Sequence, residues 1–101
     1  MSKTLKLVLK RKWWDMIASG EKKEEYRELT EYWKSRLVTY PNWTAMAFFK
    51  EFDAVTFYLG YAKDRPSMTF KVKDIRIGIG KPEWGAEQGK SYFVIELGGR
   101  I

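Results

Sequence analysis

The sequence predicts one small α+β domain, with a strongly curved or closed β-barrel and helices at its side. Three observations lead to this prediction. The 101 residues suit a single domain that covers the whole chain, 1–101. Apolar residues follow a helical period in two segments between residues 12 and 37, and most segments after residue 54 alternate with the period of strands. Consecutive antiparallel strands of this kind curl or close into barrels.

The N-terminal elements are a strand and a short helix. Residues 5–9 carry a leucine at every second position, which is typical of a half-buried strand. Lys12–Ser19 follows as a helix whose Trp13 and Ile17 lie on one apolar face. Gly20 is placed to end that helix in the left-handed conformation that glycine tolerates best.

A second helix and an irregular segment come next. Thr30 can cap a helix whose Trp33 and Leu37 share one face. Tyr40–Phe52 is rich in aromatic residues and contains a proline, so we expect a loop with a short helical piece at Ala45–Lys50.

The C-terminal half predicts strands. Residues 54–60 alternate, and so do residues 68–79, but the apolar positions are even up to Val72 and odd from Ile75. A strand changes parity only through an extra residue, so we predict a β-bulge near Lys73–Asp74. Two segments complete the chain, a glycine-rich loop and a last strand: Gly80–Gly89 and Tyr92–Leu97.

The absence of histidine and cysteine excludes several kinds of chemistry. Disulfides, thiolate nucleophiles, imidazole bases and zinc sites built on these residues are ruled out. A hard cation held by carboxylates alone stays open, although we predict no metal and no cofactor. Any acid–base step must use lysine, carboxylates, tyrosine or water.

The charge and the aromatic content favour a polyanionic partner. A net charge of +6 suits nucleic acid, although it also fits a soluble protein with surplus lysine. Aromatic residues make up 17% of the chain, and rings beside cations suit stacked bases. Because no signal peptide or membrane span is apparent, we expect a cytoplasmic protein with no membrane partner.

The segment Gly20–Arg27 has the highest concentration of side chains that can donate, accept or bind a proton. All its residues except Gly20 are charged or phenolic. Such a run is usually a solvated surface. Here, however, it follows a helix end, and nearby tryptophans can desolvate a lysine or glutamate that points inward.

Four residues of this segment resemble a family signature. Gly20-x-Lys22-x-x-Glu25-x-Arg27 is similar to the G-x-K-x-x-E-x-R pattern of ASCH domains, and the order of elements and the chain length also agree. Three further segments resemble a subgroup found in bacteria and phages: Tyr32–Leu37, Gly60–Tyr61 and Glu83–Ala86.

This resemblance implies a PUA-like small β-barrel of about five to six mostly antiparallel strands with two or three helices at its side. It also implies binding of RNA or nucleotides in a cleft between barrel and helices. Some family members act as ribonucleases, and one branch hydrolyses N4-acetylcytidine with the signature lysine, a threonine and a further glutamate. Glu25 stands where that threonine is expected, which disfavours this hydrolysis, and Glu83 or Glu87 are candidates for the further glutamate.

Three hypotheses for the segment follow. In the binding hypothesis Lys22 and Arg27 contact phosphate or base edges, and Gly20 permits close approach. Glu25 then orients Arg27 or accepts a hydrogen bond from an exocyclic amine. In the enzyme hypothesis Lys22 is a neutral general base and Glu25 positions a water or the substrate. The third is a protein-interaction module that uses the basic surface without a pocket. The rings that we expect to stack on bases in the binding hypothesis are Trp14, Tyr26, Tyr61 and Trp84.

Two structural expectations accompany these hypotheses. Trp13 and Trp33 lie on apolar helix faces, so we predict that both pack on the core. The plainest alternative to any ligand site is an ion pair among Lys22, Glu25 and Arg27 that fastens the helix to the barrel. If these three side chains share a cleft, Lys22 must lie on the turn after Gly20, because strand alternation separates it from the other two.

Overall fold

A computed structural model of the protein describes residues 3–39 and 49–101. The strands and helices of this part of the chain are, in order, β1 (Thr4–Leu9), α1 (Arg11–Ser19), β2 (Glu24–Arg27), α2 (Glu31–Leu37), β3 (Ala54–Leu59), β4 (Ser67–Ile79), a 3-10 helix (Pro82–Trp84) and β5 (Ser91–Arg100). The predicted α+β class is confirmed. The helical piece predicted at Ala45–Lys50 lies mostly outside the described residues.

The five strands form one mixed sheet in the order β1-β3-β4-β5-β2. β1 pairs in parallel with β3, and every other pairing is antiparallel. The sheet curls into a half-barrel, which leaves β1 and β2 as its two edge strands. The predicted strong curvature is therefore present, and the two edges matter for the site described below.

The sheet has a bulge where the sequence predicts one. The register between β4 and β5 shifts between Phe70 and Val72 and again between Val72 and Asp74. Val72 pairs with Leu97 and Asp74 with Glu96, so Lys73 is an extra residue on β4. This confirms the bulge and explains the change of parity along β4.

The predicted helix ends are also confirmed. Gly20 ends α1 with a φ of 87°, and the Thr30 side chain accepts a hydrogen bond from the Trp33 amide at the start of α2. Strand β2 was not predicted, because its sequence Glu-Glu-Tyr-Arg shows no apolar alternation. None of the helices in the described part of the chain has the length and apolar character needed to cross a membrane.

The core fills the inside of the half-barrel. Alternating leucines of β1 face the central strands, and one residue each from α1 and α2 completes the packing. Trp13 and Trp33 pack against this core as predicted, and so does Trp14. The most deeply buried large side chains are Phe57, Phe93, Leu7, Ile17, Leu37 and Ile95.

Candidate functional site

Lys22 lies on the turn that joins α1 to β2. Gly20 reverses the chain, and the Lys22 amide donates a hydrogen bond to the Met16 carbonyl oxygen at 3.0 Å. The strand begins only at Glu24, so strand alternation does not fix the direction of the Lys22 side chain. Lys22 therefore meets Glu25, as the geometric argument from the sequence requires.

Glu25 joins the buried Lys22 to the half-buried Arg27. Its Oε1 lies 3.2 Å from the Lys22 Nζ, and its Oε2 lies 2.7 Å from the Arg27 Nη2. Only 2% of Lys22 and 6% of Glu25 is exposed. The charges of this cluster, called the Lys22–Glu25–Arg27 triad, are therefore held mainly by one another and by nearby backbone.

Arg27 connects the two edges of the half-barrel. It lies on edge strand β2, and its Nη2 donates to the carbonyl oxygen of Val8 on edge strand β1 at 3.1 Å. The guanidinium carbon also lies 5.0 Å from the centre of the Trp33 ring, a cation–π distance. Its Nε is buried and has no hydrogen-bond partner among the described residues.

The Lys22 ammonium lies between aromatic rings. Its Nζ is 5.1 Å from the centre of the Trp13 ring and 4.8 Å from that of Tyr26, and it donates to the Trp84 carbonyl oxygen. Burial lowers the pKa of Lys22, and the nearby Glu25 carboxylate partly opposes that shift. The site thus holds a lysine that releases its proton more readily than a lysine in water.

This lowered pKa predicts a pH dependence of stability. Unfolded Lys22 titrates near 10.5, and folded Lys22 titrates below that value. Between the two pKa values the unfolded state binds more protons, so the free energy of unfolding rises with pH. We expect Lys22→Met to remove this rise, which is at most about 1.4 kcal/mol per pH unit.

Denaturant unfolding at several pH values below 10.5 measures the effect as the difference between wild type and variant, in which the shared titrating groups cancel. Lys23→Met is the matched control, because Lys23 is the next residue and is exposed. If the free energy of unfolding changes with pH by the same amount in wild type and Lys22→Met, the lowered pKa of Lys22 is contradicted.

Two hydrogen bonds of its hydroxyl hold the Tyr26 ring beside Lys22. That group donates to the Glu24 Oε1 at 2.7 Å and accepts from the Lys81 amide at 3.0 Å. Burial raises the pKa of the Tyr26 phenol, and the Glu24 carboxylate raises it further. Tyr26 therefore stays neutral and fixes the loop that follows β4.

Two pockets meet at Lys22 and Trp84. The larger, called the Lys81 pocket, has a volume of about 550 Å³, and the smaller, called the Arg27 pocket, about 260 Å³. Both lie at the end of the half-barrel where α1 joins β2. The Lys81 pocket is lined by Ile17, Gly20, Lys22, Lys23, Glu24, Phe70, Lys73, Lys81, Trp84, Glu96, Leu97 and Gly98. The Arg27 pocket is lined by Val8, Leu9, Lys10, Trp13, Lys22, Glu25, Tyr26, Arg27, Trp84 and Gly85.

The carboxylates of the Lys81 pocket are already paired. Glu24 and Glu96 each lie 2.8 Å from Arg76, and Glu96 also lies 3.4 Å from Lys73. Lys23 and Lys81, in contrast, form no ion pair with any described residue. Lys81 instead lies over the Trp84 ring, with its Nζ 4.3 Å from the ring centre. The pocket thus offers two cations and an indole to a ligand.

The structure brings together six of the candidate site residues singled out in the sequence, and one of them, Glu25, lines the Arg27 pocket. The other five, each of which lines one or both pockets, are Gly20, Lys22, Tyr26, Arg27 and Trp84. The positions of the other candidates do not favour the roles expected of them, which were base stacking for two rings and the further catalytic glutamate for two acidic residues. Tyr61, 84% exposed, lies on the loop between β3 and β4 and lines neither pocket. Glu83 and Glu87 are exposed and also line neither, and Trp14 packs on the core.

Sequence reasoning missed two contributors to the site. Lys81 was assigned only to a loop, although its position three residues before Trp84 in a Gly/Pro segment is a usable signal. The Val8 carbonyl oxygen, which accepts from Arg27, leaves no signal, because every residue carries such a group. No set of three or more acidic side chains in residues 3–39 and 49–101 lies close enough to hold a metal ion.

Comparison with known proteins identifies no relative. No family model matches the chain, and neither a curated protein nor a solved structure matches it significantly.

Proposed function

We propose that this protein is an ASCH-type, PUA-like domain that binds RNA or nucleotides at the Lys81 and Arg27 pockets, in the cytoplasm. One observation carries the proposal: two unpaired lysines and an indole surround a pocket that adjoins the Lys22–Glu25–Arg27 triad. The resemblance of Gly20–Arg27 to the ASCH signature supports the same ligand class.

The cations of the Lys81 pocket suit phosphate oxygens. Lys23 and Lys81 have no carboxylate partner among the described residues, so a phosphate does not have to displace one. Lysine binds phosphate as a point charge, and the released counterions make such binding dependent on salt. The neighbouring Trp84 side chain is partly exposed and can stack on a base.

The triad gives this pocket a firm wall. Lys22 links the turn after α1 to the Trp84 carbonyl oxygen, and Arg27 links β2 to β1. A ligand pressed against Trp84 therefore meets a backbone that buried hydrogen bonds hold in place. Rigid placement lowers the entropic cost of binding. In this proposal the triad positions the site, and Lys23 and Lys81 contact the ligand.

The test is a titration of a 5′-mononucleotide against wild type and Lys81→Ala at about 50 and 200 mM salt. We expect Lys81→Ala to weaken binding about tenfold, the cost of one charge-assisted hydrogen bond. The variant should also show a shallower salt dependence, because one phosphate contact is lost.

Lys63→Ala provides the matched control. Lys63 is exposed on the loop between β3 and β4, lines neither pocket, and carries the same charge. Equal losses in the two variants would show that only net charge matters. Wild-type affinity that does not respond to salt, or no binding at all, contradicts the proposed function.

Hydrolysis of a modified nucleoside or RNA is a second candidate, favoured by one observation. Lys22 has a lowered pKa and lies 3.2 Å from a carboxylate, a combination found at catalytic sites. Against it, Glu25 is held by both Lys22 and Arg27 and is not free to activate water. Incubation with N4-acetylcytidine and with short RNAs separates the candidates, because turnover that Lys22→Met abolishes requires the enzyme hypothesis.

A further inference from the structure

We propose that the ligand is a polymer, single-stranded RNA, which extends from the Arg27 pocket along β1 to a third pocket beside α2. This inference rests on the proposed nucleotide-binding function. The third pocket, called the Tyr32 pocket, has a volume of about 470 Å³. Three cations and a tyrosine line it: Lys6, Arg36, Lys50 and Tyr32.

The charge of the Tyr32 pocket suits a polyanion. Lys6, Arg36 and Lys50 line it, and none of its described lining residues is acidic. Lys50 is held at the pocket because its Nζ donates to the Ser35 carbonyl oxygen at 3.0 Å. This uncompensated charge differs from the Lys81 pocket, where arginine and lysine neutralise the glutamates.

The pocket also offers a surface for stacking. Tyr32 is 56% exposed, although it is a large ring on a helix that packs against the core. The Arg36 guanidinium carbon lies 4.1 Å from the centre of that ring, and the Trp33 ring meets it edge-on at 4.9 Å. Exposed rings and arginine planes are the groups on which unpaired bases stack.

The Tyr32 pocket adjoins the Arg27 pocket in two ways. Edge strand β1 lines both, the Tyr32 pocket with residues 4–6 and the Arg27 pocket with residues 8 and 9. Trp33 lines the Tyr32 pocket, and its ring lies 5.0 Å from the guanidinium carbon of Arg27, which lines the other. Leu5 and Leu9 are about 13 Å apart along an extended strand. A ligand that contacts both pockets must be longer than one nucleotide.

An acidic peptide satisfies fewer of these observations. It can pair with the three cations, but it leaves the exposed Tyr32 ring and the stacking surface at Trp84 without planar partners. Alternation of rings and cations over three neighbouring pockets is typical of surfaces that bind single strands. We therefore argue for RNA and treat the peptide as an outcome of the test.

The test compares UMP with an oligouridylate of about ten nucleotides by fluorescence anisotropy and calorimetry. The variant is Tyr32→Ala/Arg36→Ala, which removes one ring and one cation from the Tyr32 pocket. The matched control is Tyr61→Ala/Lys63→Ala, which removes one ring and one positive charge from the loop between β3 and β4. We expect the first variant to bind the RNA about tenfold more weakly and UMP as well as wild type does, and the control to change neither affinity.

Each other result overturns the inference. Equal RNA affinity in wild type and the Tyr32 pocket variant, equal loss in both variants, or RNA binding no tighter than UMP binding excludes the extended track. Lys81→Ala must still weaken UMP binding if the proposed function alone survives. Failure of wild type to bind either ligand overturns both proposals.

Efficient competition by polyglutamate for the RNA site overturns the inference in favour of a protein partner. If circular dichroism shows that the double variant is unfolded, Arg36→Gln serves in its place, because it keeps the Tyr32 ring.

Discussion

Replacing Glu25 with glutamine is expected to lower the free energy of unfolding by about 3–5 kcal/mol, because it leaves the buried Lys22 and the half-buried Arg27 without their counter-charge. Lys22 and Arg27 both depend on this one carboxylate, at 3.2 and 2.7 Å. Urea unfolding measures the loss as a shift of the midpoint. This substitution has the largest effect that the structure predicts within the signature segment.

Two comparisons sharpen this prediction. Glu21→Gln removes the same charge from an exposed position of the same segment, and we expect it to change the free energy of unfolding by less than about 0.5 kcal/mol. Lys22→Met/Glu25→Leu/Arg27→Met replaces the whole triad with apolar side chains, and it should recover part of the loss. Similar effects of Glu25→Gln and Glu21→Gln would show that the triad adds no stability.

Adding a methyl group at Gly80 is expected to lower the free energy of unfolding by about 1–3 kcal/mol, the usual cost of overpacking. A Cβ at this position lies 2.5 Å from the Ala86 Cβ and 3.2 Å from the Tyr26 ring. Neither neighbour is the end of a flexible side chain, so the loop between β4 and β5 must move. Because that loop carries Lys81 and Trp84, Gly80→Ala should also weaken nucleotide binding. Thermal unfolding and the mononucleotide titration measure the two effects.

The structure offers a specific rescue of Gly80→Ala. Ala86→Gly removes the closer of the two clashing atoms, so the double variant Gly80→Ala/Ala86→Gly should regain stability and binding relative to Gly80→Ala. The gain is partial, because the contact with Tyr26 remains and glycine is more flexible in the unfolded chain. Additive losses in the double variant would contradict the predicted contact.

Local rules predicted the parts of the fold that depend on neighbouring residues. The left-handed Gly20, the Thr30 cap and the bulge at Lys73 each follow from a few adjacent positions. Strand β2 could not be predicted in this way. Its side chains are polar on both faces, and it is a strand because Glu24–Arg27 pairs with β5, a partner about seventy residues away in the sequence.

The same limit applies to the site. The sequence requires that Lys22 lie on a turn if it is to meet Glu25 and Arg27, and the structure has it there. Burial of the triad between β1, β2 and the 3-10 helix depends on long-range packing. For that reason the local pattern predicted neither the hydrogen bond between Arg27 and Val8 nor the contact of Lys81 with the Trp84 ring.

The bond between Arg27 and Val8 has a consequence for self-association. An open half-barrel exposes two strand edges, and such edges can pair with another chain and begin aggregation. Here the guanidinium of Arg27, a residue of edge strand β2, donates a hydrogen bond to the outward-facing carbonyl oxygen of Val8 on edge strand β1. A foreign strand that adds at Val8 must first displace Arg27 from its buried partner Glu25. One side chain of edge strand β2 therefore hinders intermolecular pairing at Val8 of edge strand β1.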